Sequence, residues 1–388
     1  MTEWGSVGGP RPRRARHKSH LGTALVAIAI GLVIGHYVWT GSVRRLLLPP
    51  TFGPGRFQIV PANPAPNNGR SSSAPGAPGN VAAIAREVDA SLVDINTVLS
   101  YEGAGGAGTG IVLTQTGEIL TNNHVVEGAT SISVTDVANH QTYAARVLGY
   151  DRAHDVAVIQ LKSATDLDVA KIGSSSAVKV GDGVVAVGNA RGLGGTPSYA
   201  GGAVVGLNQS ITAQDAANGS AEELHGLLET NAAIEPGDSG GALVNASGRV
   251  VGIVTAGSEG FRFQQTAAQG FAIPIDEALG IASQIKSGQA SSTVHVGATA
   301  FLGVDVQTPT TGSGARIVQV VPGGPAATAG LSAGETILSV GGRTVTSPES
   351  LTMIVLQSKP GKTVQVRVAD LSGTAHSVTL VFASGPPQ

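Results

Sequence analysis

The heptapeptide Glu235-Pro236-Gly237-Asp238-Ser239-Gly240-Gly241 sets a serine between glycines within two residues on either side. Such a hydroxyl is unhindered, and the backbone around it can fold tightly enough to turn its amides toward whatever the hydroxyl attacks. A nucleophilic serine needs both, room for attack and N–H donors aimed at the oxyanion that attack creates. Two other stretches can complete it. In Leu120-Thr121-Asn122-Asn123-His124-Val125-Val126 a histidine follows a β segment and starts a short turn. In His154-Asp155-Val156-Ala157-Val158 an aspartate sits at the lip of a buried strand. Each also has an ordinary use: a Gly-rich turn, a histidine packed beside a strand, an aspartate capping a turn.

Together they supply an imidazole as base and acid and a carboxylate to hold its tautomer. Their order, His124, Asp155, Ser239, is that of trypsin-like enzymes rather than of subtilisin or α/β-hydrolases. Gly237-Asp238-Ser239-Gly240-Gly241 also satisfies the esterase pattern G-x-S-x-G. That fold demands a helix after the serine and a later Asp and His, whereas Ala242–Val244 and Val250–Thr255 read as strands. The glycine-dense stretch 103–110 has no following Gly-Lys-Ser/Thr, which argues against a phosphate loop. The nine histidines show no metal-ligand spacing, so neither metal nor cofactor is expected. Glu222-Glu223-Leu224-His225 reads as a solvated loop or helix face.

Short β segments separated by Gly and Asn surround these residues. A first set runs Leu92–Val98, Gly110–Leu113, Ile119–Asn122, Ser131–Val134, Tyr143–Tyr150 and Val156–Leu161. A second runs Gly183–Gly188, Ala200–Leu207, Leu227–Thr230, Ala242–Val244, Val250–Thr255 and Gly270–Pro274. This spacing predicts a mainly β chain built as a sandwich or barrels, with two similar units divided near 170–182. Helices are predicted at Val81–Val88, with Asn80 as N-cap, and at Ile275–Lys286. After a polar linker at 287–299, residues 300–384 form a separate α+β unit with strands at Leu302–Val306, Ala315–Val321, Thr336–Val340, Val364–Ala369 and Ser377–Phe382. Its helices are predicted at Pro325–Ala329 and Pro348–Gln357.

A chain of 388 residues with 55 glycines and a formal charge of −2 gives no reason to expect a nucleic-acid partner. There is no cysteine, so disulfides and thiolate metal sites are excluded. Residues 1–20 are basic and precede an apolar run over 21–43 in which His36 is the only ionisable residue. At about 1.5 Å per residue this run spans a bilayer. It exceeds a usual signal-peptide core and lacks a small-residue cleavage site, so it is expected to stay as a transmembrane helix with a cytoplasmic N-terminus. Residues 44–80 are Pro- and Ser-rich and read as a disordered tether.

The chain resembles HtrA/Deg-family serine proteases with one PDZ domain, most of all the actinobacterial PepA-type enzymes. Gly108–Leu113, Ile119–Val126, Asp155–Ile159, Gly188-Asn189, Asn231–Leu243 and Gly270–Ile275 carry the resemblance, with Thr142-Tyr143, Gly149–Arg152 and Thr293–Gly303 for the subgroup. It implies a trypsin-like double β-barrel over 81–286, with the active site between two perpendicular barrels, and a PDZ domain over 300–384. It implies Ser239 as nucleophile, His124 as base then acid, Asp155 as the orienting carboxylate, and the amides of Gly237 and Ser239 as oxyanion hole. Asn231, Gly270, Phe271 and Ala272 match substrate-binding positions, with a small or medium apolar P1 residue expected and the substrate adding as a strand beside Gly270. Phe301-Leu302-Gly303-Val304 matches the PDZ loop that receives a peptide's C-terminal carboxylate. The resemblance further implies extracytoplasmic cleavage of unfolded proteins, a homotrimer, and regulation by ordering of loops around 191–199, 232–238 and 257–269. The alternative is a tethered chaperone or peptide sensor with a collapsed oxyanion hole. Two positions depart from the family, which often has Asn where this chain has Glu235 and Asp238. In activated zymogens the Asp before the serine pairs with a newly cut N-terminus; here Asp238 must find another partner.

Overall fold

The computed structural model describes residues 71–388, apart from 102, 216–220, 256–260 and 264–269. The basic segment 1–20, the apolar run 21–43 and most of the tether lie outside the described residues. Among the described residues no helix is long and apolar enough to cross a membrane.

The first half of the body contains β1 (Ser71–Ser73), helix α1 (Val81–Asp89), β2 (Leu92–Leu99), β3 (Ala104–Val112), β4 (Glu118–Thr121), the one-turn helix α2 (Asn123–Val126), β5 (Ser131–Asp136), β6 (Thr142–Asp151) and β7 (Val156–Leu161). Strands β6-β5-β2-β3-β4-β7 lie in that order, and β6 pairs again with β7, closing a six-stranded barrel. Closure joins the two outermost strands of the sheet to each other. Val156, Ala157, Val158, Ile159 and Leu161 of β7 are all buried, matching their nearly unbroken apolar run.

The second barrel is built from β8 (Gly183–Gly188), β9 (Ser198–Asp215), β10 (Ala221–Thr230), β11 (Ala242–Asn245), β12 (Val250–Thr255) and β14 (Gly270–Pro274), with the short β13 (Phe261–Phe263) on β9. Its order is β9-β10-β14-β12-β11-β8, again closed, by β8 on β9. Glu222–His225 therefore belongs to a strand rather than to a loop or helix, with Leu224 buried. The tether is shorter than the sequence suggests. Ser71–Ser73 pairs in parallel with Tyr199–Gly201 and Ala74 N–H donates to Gly201 O, because three small side chains fit the exposed edge of β9.

Helix α1 buries Val81, Ile84, Ala85 and Val88, the one-face spacing its sequence shows. The Asn80 side chain makes no capping bond; its carbonyl begins the helix instead, accepting from Ala83 and Ile84. Helix α3 (Ile275–Lys286) has Asp276 and Glu277 in its first turn and Lys286 in its last, the polarity the helix dipole favours. It buries Ile275, Ala278, Ile281, Ala282 and Ile285 in a core shared by both barrels. Part of the predicted linker is ordered: β15 (Val294–Val296) pairs with Gly149–Asp151 of β6.

The C-terminal unit has its own core. It comprises β16 (Thr299–Phe301), β17 (Val304–Gln307), β18 (Ala315–Val320), α4 (Pro325–Thr328), β19 (Thr336–Val340), β20 (Arg343–Thr344), α5 (Pro348–Leu356), β21 (Thr363–Ala369), β22 (Ala375–Val381) and β23 (Ala383–Gly385). Its main sheet runs β17-β18-β19-β21-β22, which among the described residues leaves one edge of β17 unpaired; β16 pairs with β23. A capping box starts α5, Ser347 accepting from Ser350 N–H while Ser350 Oγ accepts from Ser347 N–H.

Candidate active site

His124 sits in the single turn of α2, directly after β4. Its backbone N–H donates to Asp155 Oδ1 at 3.0 Å, and its Nδ1 lies 3.0 and 2.9 Å from Asp155 Oδ1 and Oδ2. Asp155 immediately precedes β7 and has φ +52°, a left-handed conformation unusual for a non-glycine residue. Two contacts hold it there: Asn122 Nδ2 donates to its carbonyl at 2.9 Å, and Thr255 Oγ1 donates to its Oδ2 at 3.1 Å. Asn122 and Thr255 are buried, so the carboxylate is shielded from water and oriented from both barrels.

Ser239 is buried, and its carbonyl accepts from Thr109 N–H of β3 at 2.8 Å. Gly240 has φ +82°, and a Cβ there would run into Thr109 O and Thr121 Oγ1, so the tight turn after the serine requires glycine. Gly237 has φ +97°, and a Cβ there would strike Asn189 O. Its carbonyl accepts from Thr109 Oγ1 at 2.9 Å, and that oxygen accepts from Asn189 N–H at 2.8 Å. Pro236 O accepts from Arg191 N–H at 2.6 Å. The peptide unit is planar and trans, so the Gly237 N–H points away from the loop that holds Pro236 O.

Asp238 is buried beside the serine. Its Oδ1 accepts from Ser198 Oγ at 3.0 Å and its Oδ2 from Glu235 N–H at 2.9 Å. Burial pushes its carboxyl up to about 6, the Glu235 and Ser198 hydrogen bonds pulling only partly the other way. On the first barrel, burial likewise pushes the Asp94 carboxyl up to about 6, partly offset by Gly195 N–H, which donates to it at 3.2 Å. The segment after β8, residues 189–198, thus touches the serine loop and both barrels.

A family model described as a trypsin-like peptidase domain matches residues 108–253, and a PDZ domain model matches residues 300–370. The chain is 35% identical to serine protease PepD of Mycobacterium tuberculosis over 93% of its own length and 77% of that protein's. It belongs to the HtrA family of serine proteases. It is also 34% identical to periplasmic serine endoprotease DegP of Escherichia coli over 62% of this chain, and spans about half (49%) of DegP. Among solved structures, the serine endoprotease from Yersinia pestis matches 79% of this chain and 98% of its own, with 28% identity and a TM-score of 0.44.

Three residues of this HtrA protease's site went unnoticed in the sequence reading. Thr255 and Ser198 carry no local signal, since a hydroxyl ending or starting a strand is ordinary. Thr109 lies within a stretch that carries the resemblance, yet its double contact with the serine loop shows only in three dimensions. His154, next to the aspartate, stands apart from the site and pairs with Asp151 Oδ2 at 2.9 Å.

The Asn231 side chain is engaged structurally, its Oδ1 accepting from Ala203 N–H at 2.8 Å and its Nδ2 donating to Pro75 O at 3.1 Å. Phe271 and Ala272 are buried in β14, opposite Glu229 and Leu228 on one side and Thr255 and Val254 on the other. A closed barrel uses both edges of β14 there, so no substrate strand can add beside these two residues. Gly270 does border a tight contact: a Cβ on it would collide with Ile234.

In the PDZ domain, Phe301, Leu302, Gly303 and Val304 line a small cavity of about 100 Å³ with Leu351, Thr352 and Val355 of α5 and Gln388. Gly303 has φ +81°. Phe301 stacks on Tyr101 of the protease domain, ring centroids 5.1 Å apart.

Proposed function

We propose that Ser239, His124 and Asp155 carry out peptide-bond hydrolysis by an acyl-enzyme route. The observation that carries this reading is His124 Nδ1 held against an Asp155 carboxylate that Thr255 clamps in turn. With Nδ1 committed, Nε2 is the nitrogen that takes the proton of Ser239 Oγ as it attacks the scissile carbonyl carbon. The carbonyl oxygen becomes an oxyanion facing the Gly237 and Ser239 N–H groups. His124 then passes its proton to the leaving amine, and water, deprotonated by the same imidazole, releases the acyl group from Ser239. Anchoring of Pro236 O and Gly237 O outside the hole supports an assembled oxyanion site over a collapsed one, and hence the enzyme over a pure sensor.

The wider reading is an endopeptidase of the cell envelope, anchored through residues 21–43 with the catalytic and PDZ domains outside, acting as a homotrimer on unfolded proteins. The free edge of β17 beside α5 suits an added strand whose C-terminal carboxylate meets the Phe301–Val304 loop. A fluorophosphonate probe is expected to label Ser239 and to fail on Ser239→Ala and His124→Ala. Labelling that survives His124→Ala would overturn the assignment, and no labelling of the parent protein would favour the sensor. Mapping the cleavage sites in casein reads out P1.

A further inference from the structure

We propose that Asp238 and Ser198 are positioning residues that hold the serine loop in its catalytic shape, through a contact that works whether Asp238 is ionised or protonated. The proposal rests on the catalytic reading of Ser239 given above.

The argument starts from one hydroxyl with three neighbours. Ser198 Oγ lies 3.0 Å from Gly188 O, 3.0 Å from Asp238 Oδ1 and 3.1 Å from the Ala190 N–H that donates to it. A serine hydroxyl has one proton to give and two lone pairs to receive. When Asp238 is ionised, the proton goes to its Oδ1. When Asp238 is protonated, the carboxyl donates to Ser198 Oγ, the hydroxyl turns its proton to Gly188 O, and Ala190 N–H keeps the other lone pair. Asp238 Oδ2 accepts from Glu235 N–H in both states. Both arrangements keep Asp238 hydrogen-bonded to Ser198 Oγ and Ala190 N–H on the same oxygen, with no heavy atom displaced.

The surroundings agree. The charged group facing Asp238 from its own loop is Glu235, which the Arg191 guanidinium of the 189–198 segment pairs at 3.0 Å. Gly188 of β8 and Ser198 of β9, packed against the carboxyl, bring no ionisable side chain. Among the described residues no cation pairs with Asp238, and a switchable hydroxyl takes that place. The contact ties the loop on its buried side, while Arg191 N–H on Pro236 O and Thr109 Oγ1 on Gly237 O tie it elsewhere.

Asparagine at 238 reproduces the protonated pattern, with Oδ1 accepting from Glu235 N–H and Nδ2 donating to Ser198 Oγ. Alanine removes both contacts. Oxyanion donors act only in the transition state, so misplacing them lowers kcat with little change in KM. The test measures peptide hydrolysis and fluorophosphonate labelling rate in full-length parent, D238A, D238N, S198A and S198T between pH 5 and 8.5. D238A is expected to lose kcat by about 100-fold and S198A by about tenfold, at similar KM. D238N and S198T are expected to stay within about threefold of the parent. The acid limb of kcat/KM is expected to follow a single ionisation in parent and D238N alike, because protonating Asp238 does not release the contact. Folding is checked by circular dichroism, and the serine pair carries the test if D238A does not fold.

Three outcomes overturn the proposal: D238N as slow as D238A, S198A as fast as the parent, or a parent acid limb of two ionisations that becomes one in D238N. A parent protein that fails to label at all would instead sink the catalytic reading beneath it.

Discussion

At the scale of single residues, the site is a set of buried hydroxyls and carboxyls that fix one another. Thr255 is the clearest case. Its hydroxyl donates to Asp155 Oδ2 from the opposite barrel, and a hydrogen bond to a charged group is worth about 1.5–3 kcal/mol. Thr255→Ala is expected to lower kcat about tenfold with KM little changed, and Thr255→Ser to restore it, as read by steady-state hydrolysis of a peptide substrate. Asp238 gives a prediction about stability. Its folded-state value of about 6 lies above the ordinary 3.8, so the native state binds its proton more tightly than the unfolded chain does. The stabilising contribution is fully present below about pH 4 and is lost as pH rises through 6. The ionised group then costs the fold about 3 kcal/mol, from a shift of roughly two units at about 1.36 kcal/mol each. Asp238→Asn, always neutral, is expected to gain over the parent by about that much at pH 7.5 and by nothing near pH 4. Urea melts at the two pH values measure it, and an equal gain at both would rule the linkage out.

At the scale of elements, strands buried on both faces were the easiest to read. Val156–Leu161, Val250–Thr255 and Gly183–Gly188 have the bounds their apolar runs predict, because burial fixes them, and helix Ile275–Lys286 has the bounds its one-sided apolar spacing predicts. The His124, Asp155 and Ser239 trio was legible for a different reason, since residue type and order suffice to suggest it. Three kinds of feature were hidden. The Gly-rich start of β3 and the polar extensions of β9 and β10 are strands only because a neighbouring strand pairs with them, which no local pattern reports. Barrels were expected, but which residues of β14 pair on both edges depends on the register of its two neighbours, which no local pattern reports. The 287–299 stretch is polar enough to read as a free linker, yet Val294–Val296 pairs with β6 because Gly149 lets the two backbones approach. A Cβ at Gly149 would come within 2.5 Å of His295 O and 2.7 Å of Ile285 Cγ2. Gly149→Ala is therefore expected to detach β15 while sparing the triad. Limited proteolysis should cut within 287–299 about tenfold faster at unchanged peptidase activity, from about 1.4 kcal/mol of lost closure. Unchanged proteolysis would mean that the pairing does not hold this segment.

At the scale of the whole molecule, the protease and PDZ domains share contacts around the turn that carries His124. Gly128, just past α2, donates its N–H to Pro387 O at 2.9 Å, and Pro386 and Pro387 are buried. Gln388 lines the Phe301–Val304 cavity together with α5. Tyr101 on Phe301 and Tyr150 Oη on Thr299 Oγ1 at 3.2 Å hold the base of the same loop. A wall residue that swings into the groove competes with a ligand, lowering apparent affinity by the fraction of time the cavity is open. Removing Pro386–Gln388 is accordingly expected to tighten binding of a fluorescent peptide with an apolar C-terminal residue, measured by anisotropy on the intact protein. The same deletion frees the Gly128 N–H and exposes apolar surface under the two prolines, so the melting temperature is expected to fall by about 2–4 °C, in line with a loss of roughly 1 kcal/mol in a domain of this size. Tighter peptide binding with a lower melting temperature is the signature of a strap that both braces the domains and competes for the groove. Weaker binding would instead make Gln388 part of the receptor surface, and unchanged binding would leave the strap purely structural.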